Sequence, residues 1–102
     1  MTLTVRGSEL RRDELLDFAT RRLGFVLGRF GSRVTGVRVS ISDENGPRGG
    51  VDKKCRIEVR GPSKLAVVIE DAAADERAAI ARAADRAGRT FARALERRRE
   101  RR

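Results

Sequence analysis

The sequence predicts an α/β two-layer sandwich of the α+β kind, with two helices packed on one face of a four-stranded sheet. Three observations lead to this fold class. Two stretches carry apolar residues at the spacing of an amphipathic helix, and three consecutive stretches between them alternate apolar and polar residues. A short alternating stretch precedes the first helix. The expected order is β-α-β-β-β-α, in a single domain spanning all 102 residues.

The first strand and the first helix occupy the N-terminal third of the chain. The stretch "LTVRG" (3–7) alternates apolar and polar residues, which is typical of a short strand. The following segment predicts a helix from Arg12 to Arg29, with Gly31 as its C-terminal cap. Its core-facing residues recur every three or four positions, and they are Leu15, Ala19, Leu23, Val26 and Phe30.

The middle of the chain predicts three consecutive strands, "VTGVRVSIS" (34–42), "KCRIEVR" (54–60) and "KLAVVIE" (64–70). Because only one face of each strand is apolar, we expect the sheet to be covered on one side alone. The apolar faces consist of Val37, Val39, Ile41, Cys55, Ile57, Val59, Leu65, Val67 and Ile69. Cys55 is thus interpreted as a small core residue and not as a redox thiol.

The last helix is predicted from about residue 72 or 75 to the end of the chain. Alanine is abundant there and proline is absent. Its core spacing comprises Ile80, Ala84, Ala87, Phe91 and Leu95. Because this face is mostly alanine, the helix should pack close to its neighbours. In a helix interior, glycine is about 1 kcal/mol less stabilising than alanine. A close helix crossing would explain why position 88 is glycine.

The composition argues against an enzyme. Histidine is absent and there is one cysteine, so hydrolase triads and zinc sites cannot be built in their usual form. We therefore expect no catalytic residue, no metal, no cofactor and no small-molecule substrate. No apolar run approaches the roughly 20 residues of a membrane helix, and the N-terminus lacks the pattern of a secretory signal. The expectation is a soluble cytoplasmic protein without membrane contact.

Positive charge is the dominant feature of the composition. The chain has 24 lysines and arginines against 15 acidic residues, a net charge of +9, and only three of the basic residues are lysines. A small domain this basic is typical of nucleic-acid binding, and the planar fork of arginine suits contacts to phosphate. A coding bias toward arginine is the alternative that composition alone leaves open.

The arginines are concentrated on the helices. Five of them lie on one face of the last helix, roughly opposite its core residues: Arg82, Arg86, Arg89, Arg93 and Arg97. Like charges in a row repel one another, whereas a merely solvated face usually mixes both signs. The first helix adds Arg21, Arg22 and Arg29. These eight residues, together with Lys53 and Lys54, are the predicted RNA-binding residues, and an ordinary solvated face is the alternative.

The four phenylalanines are all expected to be packed. Phe30 and Phe91 fall on core spacings, while Phe18 and Phe25 lie nearer the edge of the first helix. Aromatic side chains for base stacking are therefore not expected, which disfavours an RNA-recognition sheet with exposed aromatic residues.

The stretch "SDENGPRGGVDKKC" (42–55) connects the second and third strands and is rich in glycine. It lacks the P-loop pattern, and strands flank it where a P-loop would open a helix. Pro47 occupies a position where an EF-hand needs a ligand. The stretch is either a plain connector or an arm that brings Arg48, Lys53 and Lys54 to the edge of an RNA surface.

The order of elements and two stretches of sequence resemble a known family. The stretches are "RFGSRVTGVRVSISDENGPRGGVDKKCRIEV" and "DRAGRTFARALERR", and the similarity runs from Leu3 to about Arg99. The chain resembles the short form of the ribosome hibernation-promoting factor / ribosome-associated inhibitor family, also called sigma-54 modulation protein.

This resemblance implies binding to small-subunit rRNA in the mRNA–tRNA channel near the A and P sites, where the family blocks translation during stress. It implies RNA contacts by Arg86, Arg89 and Arg93 of the second helix and by Arg21 and Arg22 of the first. Long-form members add a C-terminal dimerisation domain; we expect none here, and therefore a monomer in isolation. The older family name implies the alternative, a transcription modulator that acts by protein–protein contact.

Overall fold

The computed structural model describes residues 2–6, 11–43 and 53–100. In chain order the elements are β1 (Thr2–Arg6), α1 (Arg12–Leu27), β2 (Gly36–Asp43), β3 (Lys53–Arg60), β4 (Ala66–Ala73) and α2 (Glu76–Glu100). Short 3₁₀ segments follow α1 (Gly28–Arg33) and join β3 to β4 (Pro62–Lys64). The suggested role of Arg48 in the 44–52 connection lies outside the described residues.

Strands β2, β3 and β4 form an antiparallel sheet in which each strand pairs with the next along the chain. Ile41 lies opposite Cys55, and Ile57 lies opposite Ile69. The α+β class, with two helices and this antiparallel sheet, is confirmed. β1 pairs with β2 in parallel, so the order across the sheet is β1-β2-β3-β4. The parallel pairing is possible because α1 carries the chain back between the two strands.

The sheet buries one face and leaves the other open, as the alternation of its residues predicts. Cys55, Ile57 and Val59 are fully buried on the helix side of β3, whereas Arg56 and Arg60 are exposed on the other side. Burial, followed by the nearby charge of Asp71, raises the pKa of the Cys55 thiol to about 12. The interpretation of this cysteine as a core residue is confirmed.

Helix α1 ends earlier than its sequence predicts. Its buried residues are Leu15, Ala19, Leu23 and Leu27. The α-helix stops at Leu27, and the chain continues as a 3₁₀ segment that reaches Arg33. Within this segment Gly31 adopts φ +56° and ψ −131°, a region that essentially only glycine occupies. Gly31 thus redirects the chain, but from inside the 3₁₀ segment and not as the cap of α1.

Helix α2 begins after Asp75, whose Oδ1 accepts a hydrogen bond of 2.8 Å from the backbone N–H of Ala78. Its sheet-facing side is built mainly from alanine, with Ile80 and Phe91 as the large fully buried side chains. The Phe91 ring meets Phe30 edge to face, with 5.1 Å between the ring centroids. Neither helix in the described ranges is long and apolar enough to cross a membrane.

The two helices lie close together at Gly88. A Cβ at this position would lie 3.3 Å from the Cβ of Val26 on α1, and 3.3 Å from its carbonyl oxygen. The close crossing suggested by the sequence is therefore confirmed, because a larger residue at position 88 would push the helices apart.

Candidate nucleic-acid interface

Helices α1 and α2 lie side by side, so their outward sides form one continuous surface. Besides the contact at Gly88, a salt bridge joins them: Arg22 donates through Nη2 to both carboxylate oxygens of Asp85, at 3.2 and 3.1 Å. We call this the basic helix surface. Seven of the eight predicted arginines lie on these two helices, and Arg29 follows α1 in the 3₁₀ segment; the seven are Arg21, Arg22, Arg82, Arg86, Arg89, Arg93 and Arg97.

The first two arginines of the α2 set are held against the sheet edge. Arg82 Nε lies 3.5 Å from Asp71 Oδ1, and Arg86 Nη1 lies 3.4 Å from Asp71 Oδ2. Arg86 also donates to the backbone carbonyl of Glu70 at 2.9 Å. Sequence reasoning missed this arrangement because Asp71 belongs to β4 and meets α2 only in the fold.

Asp71 remains an anion at neutral pH. Burial favours its neutral form, but the hydrogen bond from the Ala72 N–H and the charges of Arg82 and Arg86 outweigh burial. The pKa of Asp71 therefore lies below its ordinary value. With one carboxylate shared by two guanidinium groups, this end of the basic helix surface is partly neutralised.

The remaining three arginines of α2 differ from this pair. Arg89, Arg93 and Arg97 are exposed, and no carboxylate of a described side chain lies within ion-pair distance of any of them. We call them the arginine triplet. Because a helix rises about 1.5 Å per residue, their Cα atoms follow one another at steps of about 6 Å. The triplet is therefore a regular line of positive charge that no described carboxylate neutralises.

The three arginines predicted on the first helix have different surroundings, and Arg29 lies just beyond α1 in the 3₁₀ segment. Arg21 forms an exposed salt bridge of 3.0 Å with Asp17, one helical turn earlier. Arg22 is engaged with Asp85, and its Nε is buried without a hydrogen-bond partner among the described residues. Arg29 stacks on Phe30, with its guanidinium carbon 4.7 Å from the ring centroid. This stacking orients the guanidinium of Arg29 without neutralising it.

Lys53 and Lys54 do not lie on the basic helix surface. Lys53 shares the covered face of β3 with Cys55; it is 8 % exposed, and its Nζ lies 3.0 Å from Asp43 Oδ2. Lys54 lies on the open face of the sheet, 3.6 Å from Glu70 Oε2. Successive residues of a strand point to opposite faces of the sheet, which explains both positions. The sequence pattern of β3 therefore already indicated that these lysines belong to the sheet and not to the helices.

Phe25 corrects the expectation that all phenylalanines are packed. Its side chain is 86 % exposed, the largest value among the big apolar residues described. At about 100° per residue, Phe25 falls about 120° around α1 from the buried Ala19. Together with Phe18, Arg21 and Arg22 it lines a shallow groove of about 380 Å³. The basic helix surface thus includes one exposed aromatic ring.

The chemistry available at this surface is cationic and aromatic. Within the described ranges, no cluster of three or more histidine, cysteine or acidic residues could hold a metal ion. Guanidinium groups in a regular line can form bidentate hydrogen bonds with phosphate oxygens, and such contacts do not depend on base sequence.

The fold and this surface define a small α+β domain with an arginine-rich helical face. The chain belongs to the sigma 54 modulation protein / S30EA ribosomal protein family, whose profile matches residues 4–99. The family resemblance inferred from the sequence is thereby confirmed. No curated protein matches the chain significantly.

Two solved structures share the fold. The crystal structure of the N-terminal domain of Protein Y from Thermus thermophilus matches 91 % of this chain and 98 % of its own, with a TM-score of 0.62 and 23 % identity. A ribosomal subunit interface protein from Coxiella burnetii has a TM-score of 0.70 at 9 % identity, with 91 % of this chain and 96 % of its own covered. At these identities the likeness shows the fold.

Proposed function

We propose that this protein is a non-enzymatic translation inhibitor that binds the small ribosomal subunit through its basic helix surface. The observation that carries the proposal is the arginine triplet, a line of exposed guanidinium groups without carboxylate partners in the described part of the chain. Membership of the S30EA ribosomal protein family supports a ribosomal partner. The name of the Coxiella burnetii protein, a ribosomal subunit interface protein, supports it as well.

The ligand at this surface is the phosphate backbone of rRNA near the mRNA–tRNA channel. Steps of about 6 Å along α2 suit consecutive phosphates of one strand. Bound there, the domain prevents mRNA and tRNA from entering and so holds the ribosome inactive in the cytoplasm. In this proposal the domain acts as a monomer, and the eight predicted arginines supply its contacts.

The arginines of α2 contribute unequally. Arg82 and Arg86 already share Asp71, so a phosphate has to compete with a carboxylate for them. Arg89, Arg93 and Arg97 meet no such competition from the described side chains, and each phosphate they bind releases condensed counterions from the RNA. The triplet should therefore dominate both the affinity and its dependence on salt.

A second candidate function is modulation of transcription through a protein partner. The exposed ring of Phe25 favours it, because exposed aromatic residues are typical anchors of protein interfaces. In that case RNA would be dispensable. Treatment of a pull-down with RNase separates the two functions: partners held through RNA are lost, whereas a direct protein partner remains.

Cosedimentation with purified small ribosomal subunits across a salt series tests the proposal. The variant replaces all three residues of the triplet by glutamine. The matched control replaces Arg38, Arg56 and Arg60 by glutamine; these arginines are exposed on the open sheet face, and their loss changes the net charge equally. We expect the triplet variant to bind more weakly, with a salt slope reduced by about one per arginine removed.

The control variant should bind like the wild type. Equal losses in both variants would mean that only net charge matters, and a loss confined to the control would place the interface on the sheet. Either result, or failure of the wild type to cosediment at low salt, contradicts the proposed function.

A further inference from the structure

We propose that Phe25 is a stacking platform for an unpaired base of the RNA that the basic helix surface binds. The proposal rests on the proposed function and adds a second kind of contact to it. Phosphate contacts by the arginines give affinity along the backbone, whereas an aromatic ring binds the face of a base.

The exposure of Phe25 has no explanation within the fold. The ring is 86 % exposed, whereas Phe30 is 7 % exposed and Phe91 is fully buried. The other exposed large apolar residue described, Val68, is 47 % exposed and lies on β4, on the open face of the sheet. Phe25 therefore contributes little to the core, and its exposed face is available to a ligand.

Arginines precede and follow Phe25 along the chain. Arg21 lies one turn before it on the same face of α1, and Arg29 lies four residues after it in the 3₁₀ segment that follows Leu27. Arg22, three residues before Phe25, reaches Asp85 on α2, so the ring lies on the flank of α1 next to the helix crossing. A nucleotide stacked on Phe25 would have the guanidinium group of Arg21, which lines the same groove, near its phosphate.

The backbone beside the ring is uncovered. Gly24 and Gly28 are both exposed, and a Cβ built at either position would meet no atom within 4 Å. No side chain at these two positions screens the ring. The adjacent groove of about 380 Å³, lined by Phe18, Arg21, Arg22 and Phe25, is large enough to admit a planar base.

The combination favours a base over an apolar protein segment. An apolar segment would have to desolvate the neighbouring guanidinium groups without providing anions for them. A nucleotide provides both a π-face for the ring and phosphates for the arginines. The base has to be unpaired, because a base inside a duplex is already stacked on both faces. The salt bridge between Arg21 and Asp17 is exposed on both sides and costs little to open.

Fluorescence gives a direct test because the protein contains neither tryptophan nor tyrosine. Phe25→Trp introduces a single indole at the proposed platform, and Val68→Trp introduces one on the open sheet face as the matched control. On titration with purified small ribosomal subunits, the wild-type protein, which has no indole, gives the emission of the subunits themselves. After subtracting it, we expect quenching at position 25, because a stacked base quenches indole emission. The control corrects for absorption by the rRNA and should show no further quenching.

Affinity gives the second measurement. Phe25→Leu keeps an apolar side chain but removes the aromatic face, and it should weaken binding roughly 5- to 150-fold for one stacked base. Because no charge is lost, the salt slope should equal that of the wild type, unlike the slope of the triplet variant. Val68→Leu is the matched control. Since Phe25 is exposed, its variants should fold normally, which circular dichroism verifies.

Each result decides between the proposals. If Phe25→Leu binds like the wild type while the triplet variant binds weakly, the stacking proposal is wrong and the proposed function stands. If Phe25→Leu retains affinity but the uncharged polar Phe25→Gln loses it, the ring contacts an apolar protein surface, and the stacking proposal is again wrong. If neither the triplet nor Phe25 affects binding, both proposals fail.

Discussion

Gly88 of α2 and Val26 of α1 approach so closely that a methyl group at position 88 would be tightly confined. The added Cβ would lie 3.3 Å from both the Cβ and the carbonyl oxygen of Val26. One of these atoms belongs to the helix backbone and the other adjoins it, so the contact can be relieved only by moving one helix relative to the other. The glycine thus fixes the spacing of the two helices that form the basic helix surface.

Alanine at position 88 should therefore fail to stabilise the protein. Gly→Ala in a helix interior ordinarily raises the free energy of unfolding by about 1 kcal/mol. At Gly88 the displacement of the helices should cancel or reverse that gain. Gly24→Ala is the matched control, since nothing lies within 4 Å of its added Cβ, and it should give most of the ordinary gain. Urea unfolding curves compare the two. Equal stabilisation by both alanines would contradict the close packing.

Removal of the negative charge at Asp85 should strengthen RNA binding. Asp85 neutralises Arg22 across the helix crossing, and both side chains are about two-fifths exposed, at 42 % and 40 %. Asp85→Asn should lower the free energy of unfolding by at most about 1 kcal/mol, as for other exposed pairs. At the same time it frees Arg22 beside Phe25. We expect tighter binding to small ribosomal subunits and a steeper salt dependence, and weaker binding would contradict this role of Arg22.

Stability should depend on pH through Asp71. Because the pKa of Asp71 is lowered in the folded state, its contribution to the free energy of unfolding is fully present above its ordinary pKa of 3.8. The contribution is lost as the pH falls through the lower, folded value. Asp71→Asn should therefore cost about 1 kcal/mol at pH 7 and progressively less below about pH 4. Thermal unfolding of both proteins from pH 7 to pH 2 measures this difference, which should shrink with acidification.

Cys55 should resist thiol reagents in the folded protein. Its burial raises the pKa from an ordinary 9.0 to about 12, so the reactive thiolate is scarce at neutral pH. Labelling by a disulfide reagent should be at least about 100-fold slower than in urea-unfolded protein. Because the pKa is higher in the folded protein, the unfolded chain loses the thiol proton first. The free energy of unfolding should therefore be unaffected by Cys55 below about pH 9 and should fall as the pH rises toward 12. Cys55→Ala should remove part of that alkaline loss.

The residue patterns predicted the core better than they predicted the surface. Alternation correctly placed Cys55, Ile57 and Val59 inside, because the pleat of a strand leaves only two faces to choose between. The spacing of α2 correctly placed Ile80 and Phe91 inside. Family membership was also recognisable from the sequence, since the carrying stretches are contiguous.

What the sequence could not show depends on contacts between distant segments. Phe25 lies near the edge of its helix face, and only the position of α2 decides whether such a residue is covered. Arg82 and Arg86 look equivalent to the triplet along α2, yet Asp71 from another element neutralises them. Where α1 ends was also missed, because a 3₁₀ continuation keeps apolar residues at nearly helical spacing.

The hydrogen bond from Arg86 to the Glu70 carbonyl has a consequence for the protein away from any partner. β4 is an outer strand of the sheet, and unpaired backbone groups on such a strand can template pairing with a second molecule. Arg86 donates a hydrogen bond to one of these carbonyls, that of Glu70. Arg82 lies along the same border of the sheet, next to Asp71. A second copy could bond to the Glu70 carbonyl only after displacing Arg86, so a side chain of α2 also protects this border of the sheet.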